Sequence, residues 1–349
     1  MAVSTERDPV ALRADLAAWL EGRTGAAHVE VGEVSIPGLS GFSNETLLFD
    51  ATWDGEVHPL VIRVEPTGHT VFPATAFDAQ VQVMQALRAE GSVPVPEVLW
   101  FEQDVSILGS RFACMAKVEG QVPADSPGYH GEGWMPALSP DAQRRVWDSG
   151  LDAMARIHRL DRVAVGLQWI EDVSPQEQLV LDHEYRRFAC GDVPYPAVDR
   201  AFALLQSTVP PPTDDPTLCW GDSRIGNMIF DDQQRVAAVL DWEMVTAGDP
   251  VQDLAWYLLL DRHHVMAFDV PRLPGLPPRE DSIARWSSAS GHSAEHLGWY
   301  ELLGATRYAS IMVRVMTLLD TTGILPGAAD GAFEQTGTRL LEQILDEQE

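Results

Sequence analysis

The spacing of apolar residues changes once along this chain, and that change limits what it can fold into more than any other feature. Up to about residue 118 the apolar runs are short and β-like: VEVGEVSI, TLLFDATW, HPLVIRVE, VPVPEVLWFE and RFACMAKVEG. Asp54-Gly55 separates two of them as a hairpin turn, so residues 29 to 65 read as an antiparallel meander. Two helical patterns accompany these strands. Residues 8 to 21 place Val10, Leu12, Leu16, Trp19 and Leu20 on one face behind Asp8 and Pro9. Residues 76 to 90 do the same with Val81, Met84 and Leu87, and Gly91 stops them. Residues 119 to 137 are rich in Gly, Pro and Asp and read as a loop. Beyond them the period is helical, from Pro140 to Leu160 and onward to the C-terminus. A short β insertion at 218 to 243 and a Pro-rich loop at 264 to 280 interrupt it. The expected fold is α+β and bilobal, with a sheet lobe over 1–118, a helical lobe over 119–349, and a cleft between them. A length of 349 residues, about twice the ~150-residue domain prior, agrees with two lobes.

Charge narrows the partners. The 24 Lys and Arg against 52 Asp and Glu leave a formal charge of −28, which repels a phosphate backbone and an anionic membrane. Neither nucleic acid nor membrane is expected as a partner. Cys114, Cys190 and Cys219 are far apart, with no C-x-x-C spacing, and are expected to be buried reduced thiols. The N-terminus lacks the basic-then-apolar pattern of a signal peptide, and no run approaches the ~18 apolar residues that span a bilayer, so a cytoplasmic protein is expected.

The segment that carries chemistry is Trp220-Gly221-Asp222-Ser223-Arg224-Ile225-Gly226-Asn227, followed by MIF, the turn Asp231 to Gln234, and VAAVLDWE. The two apolar runs form a hairpin, and its open end brings Asn227 and Asp241 side by side. An amide oxygen and a carboxylate there suit Mg²⁺, a hard cation that keeps its other positions for water and phosphate. Asp222, five residues before Asn227, is placed to accept a proton from a hydroxyl. Taken singly, each aspartate reads as a turn or strand-end residue; their spacing and order give them meaning.

In that order, Asp-x-x-x-x-Asn followed by an Asp in a β-hairpin resembles the catalytic and metal loops of the protein-kinase-like fold. With Leu240-Asp241-Trp242-Glu243, Gly248-Asp249-Pro250 and Asp253-Leu254-Ala255, the pattern is similar to the aminoglycoside phosphotransferase (APH) family of small-molecule kinases. It is also similar to the kinase-like domains fused to acyl-CoA dehydrogenases. LDAMARIHRLD resembles the helix before the catalytic loop, and LGSRFACMAKVEGQVP the fifth strand and hinge. The resemblance covers roughly residues 30 to 260. It implies an ATP- and Mg²⁺-dependent phosphotransferase, with GTP as an alternative donor. Asp222 would be the base, Asn227 and Asp241 the Mg²⁺ ligands, and Glu243 a contributor to a second metal through water. Ser40, Gly41, Ser43 and Asn44, in the turn that begins at Pro37, would cover the nucleotide phosphates. Met115, Lys117 and Val118 would form the adenine-binding hinge, with the lysine side chain solvated. Asp249 and Asp253 read as cap and helix-dipole residues.

Three positions depart from the kinase pattern. The phosphate-binding lysine is Arg63, its glutamate partner is Gln80, and the residue two before the base is Trp220 rather than His. Guanidinium binds phosphate through two N–H groups and stays charged, so Arg63 is chemically competent, with Gln80 expected to orient it. Trp220 is expected to pack under the catalytic loop. The acceptor is expected to be a hydroxylated small molecule, an aminoglycoside-like antibiotic or another metabolite. Its site would lie among Asp125–Trp134, Asp182–Tyr185 and 264–280, where acids (Asp125, Glu132, Asp182, Glu184, Asp261, Asp269, Glu280) would suit a polycation and numerous aromatics a planar acceptor. A hydroxyacyl-CoA kinase and a catalytically weak nucleotide-binding module are the alternatives. The chain would act as a monomer or homodimer.

Overall fold

A computed structural model describes residues 8–36, 45–68, 70–74, 76–125, 127–330 and 337–348. Ser40, Gly41, Ser43 and Asn44 lie outside the described residues.

The chain opens with α1 (Pro9–Thr24). The Asp8 carboxylate accepts the Val10 N–H at its start, and Gly25, in the left-handed region, ends it. Five antiparallel strands follow, β1 (Glu30–Val31), β2 (Glu45–Trp53), β3 (Glu56–Val64), β4 (Val98–Glu102) and β5 (Phe112–Ala116), in the sheet order β1-β2-β3-β5-β4. β2 and β3 pair over their whole length, from Glu45 opposite Val64 to Trp53 opposite Glu56. Asp54 and Gly55, at φ +52° and +81°, make the tight turn the sequence predicts. Alternation puts Leu47, Phe49 and Ala51 on the same face as Leu60, Ile62 and Val64, where they pack against Leu12, Leu16, Trp19 and Leu20 of α1. Glu102 on β4 fastens that helix by accepting from the Trp19 indole at 2.8 Å and from Arg23. Between β3 and β4 runs α2 (Phe77–Glu90), ended by Gly91 at φ +87°.

After β5 the chain crosses to a helical half: α3 (Pro140–His158), α4 (Pro175–Cys190), α5 (Pro196–Ser207), α6 (Val251–Phe268), α7 (Arg279–Ser290), α8 (Leu297–Thr321) and α9 (Gly337–Gln348). α8 is the central helix, packed against α4, α5, α6 and α9. Among the described residues it is the one helix long and apolar enough to cross a membrane by length and composition, which departs from the sequence expectation, and most of its apolar window is buried in the core. α6 continues to Phe268, so the expected 264–280 loop is helical over its first residues and irregular only from Asp269 to Pro278. The first proline, Pro271, comes too late to stop the helix earlier.

Short strands carry the site: β6 (Thr217–Cys219) pairs with β9 (Thr246–Gly248), and β7 (Met228–Phe230) with β8 (Val236–Val239). The β7–β8 hairpin is tied to the sheet half twice. Gln121 and Phe230 exchange both backbone bonds at 2.9 Å, and the Val239 N–H donates to the Pro94 carbonyl at 2.8 Å. At the other side of the cleft the β3–α2 connection reaches across to the helices. Val71 is buried against Val315, Leu318 and Leu319, and the Tyr185 hydroxyl donates to the Val71 carbonyl at 3.2 Å.

Candidate active site

Asp222 follows β6 in a loop that Asp253 holds from beneath. The Asp253 carboxylate, fully buried in the first turn of α6, accepts the Trp220 N–H at 2.7 Å and the Gly221 N–H at 2.9 Å. Its backbone carbonyl accepts the Ser223 hydroxyl at 2.7 Å. His158 Nε2 lies 3.0 Å from the same carboxylate. The Trp286 indole donates to His158 Nδ1 at 3.0 Å, which assigns the ring proton to Nε2 and directs it at Asp253. Asp253 is thus structural, as expected, but as the anchor of the loop. Gly221 sits at φ +90°, and a Cβ there would lie 2.1 Å from the Met244 carbonyl oxygen, so the residue before Asp222 must be glycine.

Three donors converge on the Asp222 carboxylate. Trp256 Nε1 donates to Oδ1 at 2.8 Å, while Asn227 Nδ2 and Arg224 Nε donate to Oδ2 at 2.6 and 3.1 Å. Asn227 Nδ2 also reaches the Asp222 carbonyl at 3.1 Å, so the amide oxygen faces away from Asp222. Arg224 turns its other end to Asp125, at 2.6 Å. Although its burial opposes charge, the two carboxylates hold the guanidinium firmly protonated. Burial would raise the Asp125 carboxyl, but Arg224 and the nearby histidines hold it below the usual range.

The hairpin joins the two loops. The Leu240 N–H donates to the Asn227 carbonyl at 2.8 Å, which places Asp241 beside Asn227 at the open end. The Trp220 indole donates to the Leu240 and Asp241 carbonyls at 2.8 and 3.0 Å. Trp220 therefore packs beneath both loops and links them. Asp241 adopts φ +57°, a left-handed conformation that aspartate tolerates better than most residues. Its Oδ2 meets Arg63 Nη2 at 3.4 Å, and its Oδ1 is buried with no hydrogen-bond partner, as is Arg63 Nε. Among the described residues no group of three His, Cys, Asp or Glu side chains is gathered for a metal. What the site holds instead is one amide oxygen and one carboxylate.

Arg63 thus faces Asp241. Gln80 is buried on α2 and shares no hydrogen bond with Arg63 among the described residues, in contrast to the orienting contact expected from the sequence. Met115 is buried at the end of β5, and Val118 is half-buried. Lys117 is exposed and pairs with Glu119 at 3.6 Å, while its backbone N–H donates to the Pro59 carbonyl. Glu243 is half-buried, and its charge bears on the Tyr185 hydroxyl.

The model of the APH phosphotransferase enzyme family matches residues 36–286. The chain belongs to that family. A candidate aminoglycoside phosphotransferase of Ralstonia eutropha has the same fold, with a TM-score of 0.68 and 23% identity over 95% of this chain and 98% of that one. The aminoglycoside phosphotransferase APH(4)-Ia, solved with ADP and hygromycin B, aligns at TM-score 0.59 and 14% identity over 94% of this chain and 98% of its own. Acyl-CoA dehydrogenase family member 11 of Gallus gallus is 32% identical over 221 residues, 62% of this chain and 26% of that protein. The chain thus spans about a quarter of the length of that curated relative.

Sequence reasoning gave no contact with Asp222 to two residues that shape this site. Arg224 lay inside the quoted motif but carried no signal of its own, because its partner Asp125 comes from a loop 99 residues earlier. Trp256 reads as a core aromatic of α6; only the fold turns its indole N–H onto Asp222.

Proposed function

We propose that this chain transfers the γ-phosphoryl group of ATP, with Mg²⁺, to a hydroxyl of a small molecule; GTP is the alternative donor. The observation that carries the reading is the paired arrangement of Asp222 and Asp241. The first is oriented by three donors; the second, next to the residue whose N–H bonds the Asn227 carbonyl, keeps a buried, unpartnered oxygen, while the Asn227 amide oxygen faces away from Asp222. Those two oxygens suit Mg²⁺, and Asn227 and Asp241 would hold it, with Glu243 as the more distant contributor. When bound, the ion neutralises charge on the donor phosphates. Arg63, always charged and with a buried N–H lacking a partner, binds the phosphates. The backbone around Met115, Lys117 and Val118 receives the base. Asp222 aligns the acceptor hydroxyl. As the acceptor oxygen bonds to phosphorus and the bond to the leaving nucleoside diphosphate breaks, the hydroxyl proton passes to the Asp222 carboxylate.

Calorimetric titration with ATP, with and without Mg²⁺, on the wild type and on Asp241→Asn tests the nucleotide half. Binding that tightens with Mg²⁺ and loses that gain in the variant is expected; no nucleotide binding under any condition overturns the reading. ADP release over a panel of hydroxylated antibiotics and metabolites tests transfer. Asp222→Ala should lower it by about 10²–10⁴-fold with nucleotide affinity intact. A second reading, a kinase for hydroxyacyl-CoA thioesters, is supported by the acyl-CoA dehydrogenase relatives, and hydroxyacyl-CoAs belong in the same panel.

A further inference from the structure

Three of the seven acids that the sequence offers to a cationic acceptor are spent. Asp182 is held by both arms of Arg307 at 2.8 and 2.9 Å, Asp261 by Arg272 and Tyr129 at 2.7 and 2.6 Å, and Asp125 by Arg224. A cation drawn to these three, the more buried of the set or the one nearest Asp222, would have to break their pairs. One arginine on the same wall is in the opposite situation. Arg314 lies seven residues after Arg307 on α8, so the two share a face and are about 10 Å apart along the axis. Arg307 marks the end near the base: its guanidinium carbon is 6.0 Å from the centre of the Trp256 ring, whose N–H is on Asp222.

Arg314 marks the other end. Its Nε donates to the Thr70 carbonyl at 3.0 Å, and its guanidinium stacks 4.8 Å from the centre of the Phe188 ring. These two contacts fix the plane of the fork. No carboxylate pairs with it among the described residues, and its Nη groups are not among the sealed polar atoms. Acids outnumber bases 52 to 24 in this chain, so a half-buried, oriented guanidinium without a carboxylate is a vacancy for an anion. The wall between the two ends is apolar and aromatic, with Ile311, Tyr308 and Tyr185 half-buried. Burial pushes the Tyr185 phenol up, with the Arg314 charge opposing that shift and the Glu243 charge adding to it.

Building on the phosphotransferase reading, we infer that Arg314 binds a negatively charged group of the acceptor, whose hydroxyl lies at Asp222, beyond the Arg307 end of the apolar stretch. The acceptor is then a hydroxylated carboxylate or phosphate ester with an aliphatic or aromatic middle, not a polycation. Arg314 determines specificity and takes no part in the transfer itself.

The test uses the full chain saturated with Mg²⁺ and AMP-PNP, titrated calorimetrically with probes of one length. These are ω-hydroxydecanoate, decanediol monophosphate, methyl ω-hydroxydecanoate and the matching amino alcohol. The two anions should bind about ten- to a hundredfold more tightly than the ester and the amine, the worth of a charge-assisted fork. The ranking within the anions tells carboxylate from phosphate. Arg314→Met, which keeps the packing of the stem, should bring the anions to the level of the ester with AMP-PNP affinity unchanged; Arg314→Lys should fall between. An amine that binds as well as the acid, anions that do not bind, or a Met variant that keeps the preference would each overturn the assignment. Failure of AMP-PNP to bind the wild type would instead strike the phosphotransferase reading, and the anion preference would be read without it.

Discussion

Replacing Asp253 by Asn changes a single oxygen into an NH₂ group, and the structure fixes what that costs. In the native loop three N–H groups, from Trp220, Gly221 and His158, point at two carboxylate oxygens inside a fully buried space. An amide supplies one oxygen. Its better orientation keeps Trp220 and His158 on that oxygen and sets the new NH₂ against the Gly221 N–H. The two surviving bonds fall from charge-assisted to neutral, a loss of about 1 kcal/mol each. The Gly221 N–H is orphaned against another donor, a further cost of about 1–3 kcal/mol. The sum is about 3–5 kcal/mol, a large part of the ~5–15 kcal/mol that holds a typical protein folded. Taking a urea slope of about 3 kcal/mol/M, the midpoint should fall by about 1 to 1.7 M. Urea unfolding followed by tryptophan fluorescence reads this directly, and Trp220 and Trp286 sit in the affected network. Asp249→Asn is the control, since that carboxylate caps α6 through the Val251 N–H and leaves the loop alone. A D253N protein with the wild-type midpoint would refute the account of Asp253 as the anchor of the catalytic loop.

Other substitutions separate orientation from folding. Trp256→Phe keeps an aromatic ring there but removes the N–H on Asp222 Oδ1 and shrinks a buried side chain. It should lower kcat about tenfold with nucleotide affinity nearly unchanged, at the cost of a somewhat lower Tm; an unaltered kcat would dismiss the contact. Gly221→Ala puts a Cβ into the Met244 carbonyl at a positive φ, so both stability and transfer should drop sharply, measurable as a lowered Tm and lost ADP release. Burial, aided by His264 for the first and by Arg224 and His130 for the second, pushes His263 and His264 down to about 4 against the pull of Asp125. Between pH 6.5 and 4 the unfolded chain therefore binds protons there that the folded chain refuses, so stability falls as pH drops through that window. Replacing both by Gln should flatten the urea midpoint against pH over that range; an unchanged slope would exclude them as the cause.

The parts of the site that were legible in the sequence are those set by short-range spacing. Asp222, Asn227 and Asp241 follow from one loop and one hairpin, because a two-strand unit of three or four residues fixes which ends meet. The Asp54-Gly55 turn, the Asp8 start of α1 and the Gly91 end of α2 were readable for the same reason. Contacts between distant elements were not. Asp253 carries the signature of a first-turn helix acid, and only packing turns it back onto backbone 33 residues earlier. Acids in the expected acceptor region looked available because most of their partners are remote: Arg307 is 125 residues from Asp182 and Arg224 is 99 from Asp125. β9 escaped notice because three residues, Thr246–Gly248, are too few to show a period.

The connection between β3 and α2 has a consequence for how much this chain can vary. Loops on a small sheet lobe ordinarily accept insertions and deletions at little cost. This one does not run free over the surface: it must leave Val64, seat Val71 among Val315, Leu318 and Leu319, present the Thr70 carbonyl to Arg314, and return to Phe77. Shortening it by two or three residues would unseat Val71 or pull β3, and Arg63 with it, out of line. Lengthening it would free the carbonyl that orients Arg314. The turn at Asp54-Gly55, exposed and with open space around Gly55, carries no such constraint and is the better place to graft a tag or an extra domain.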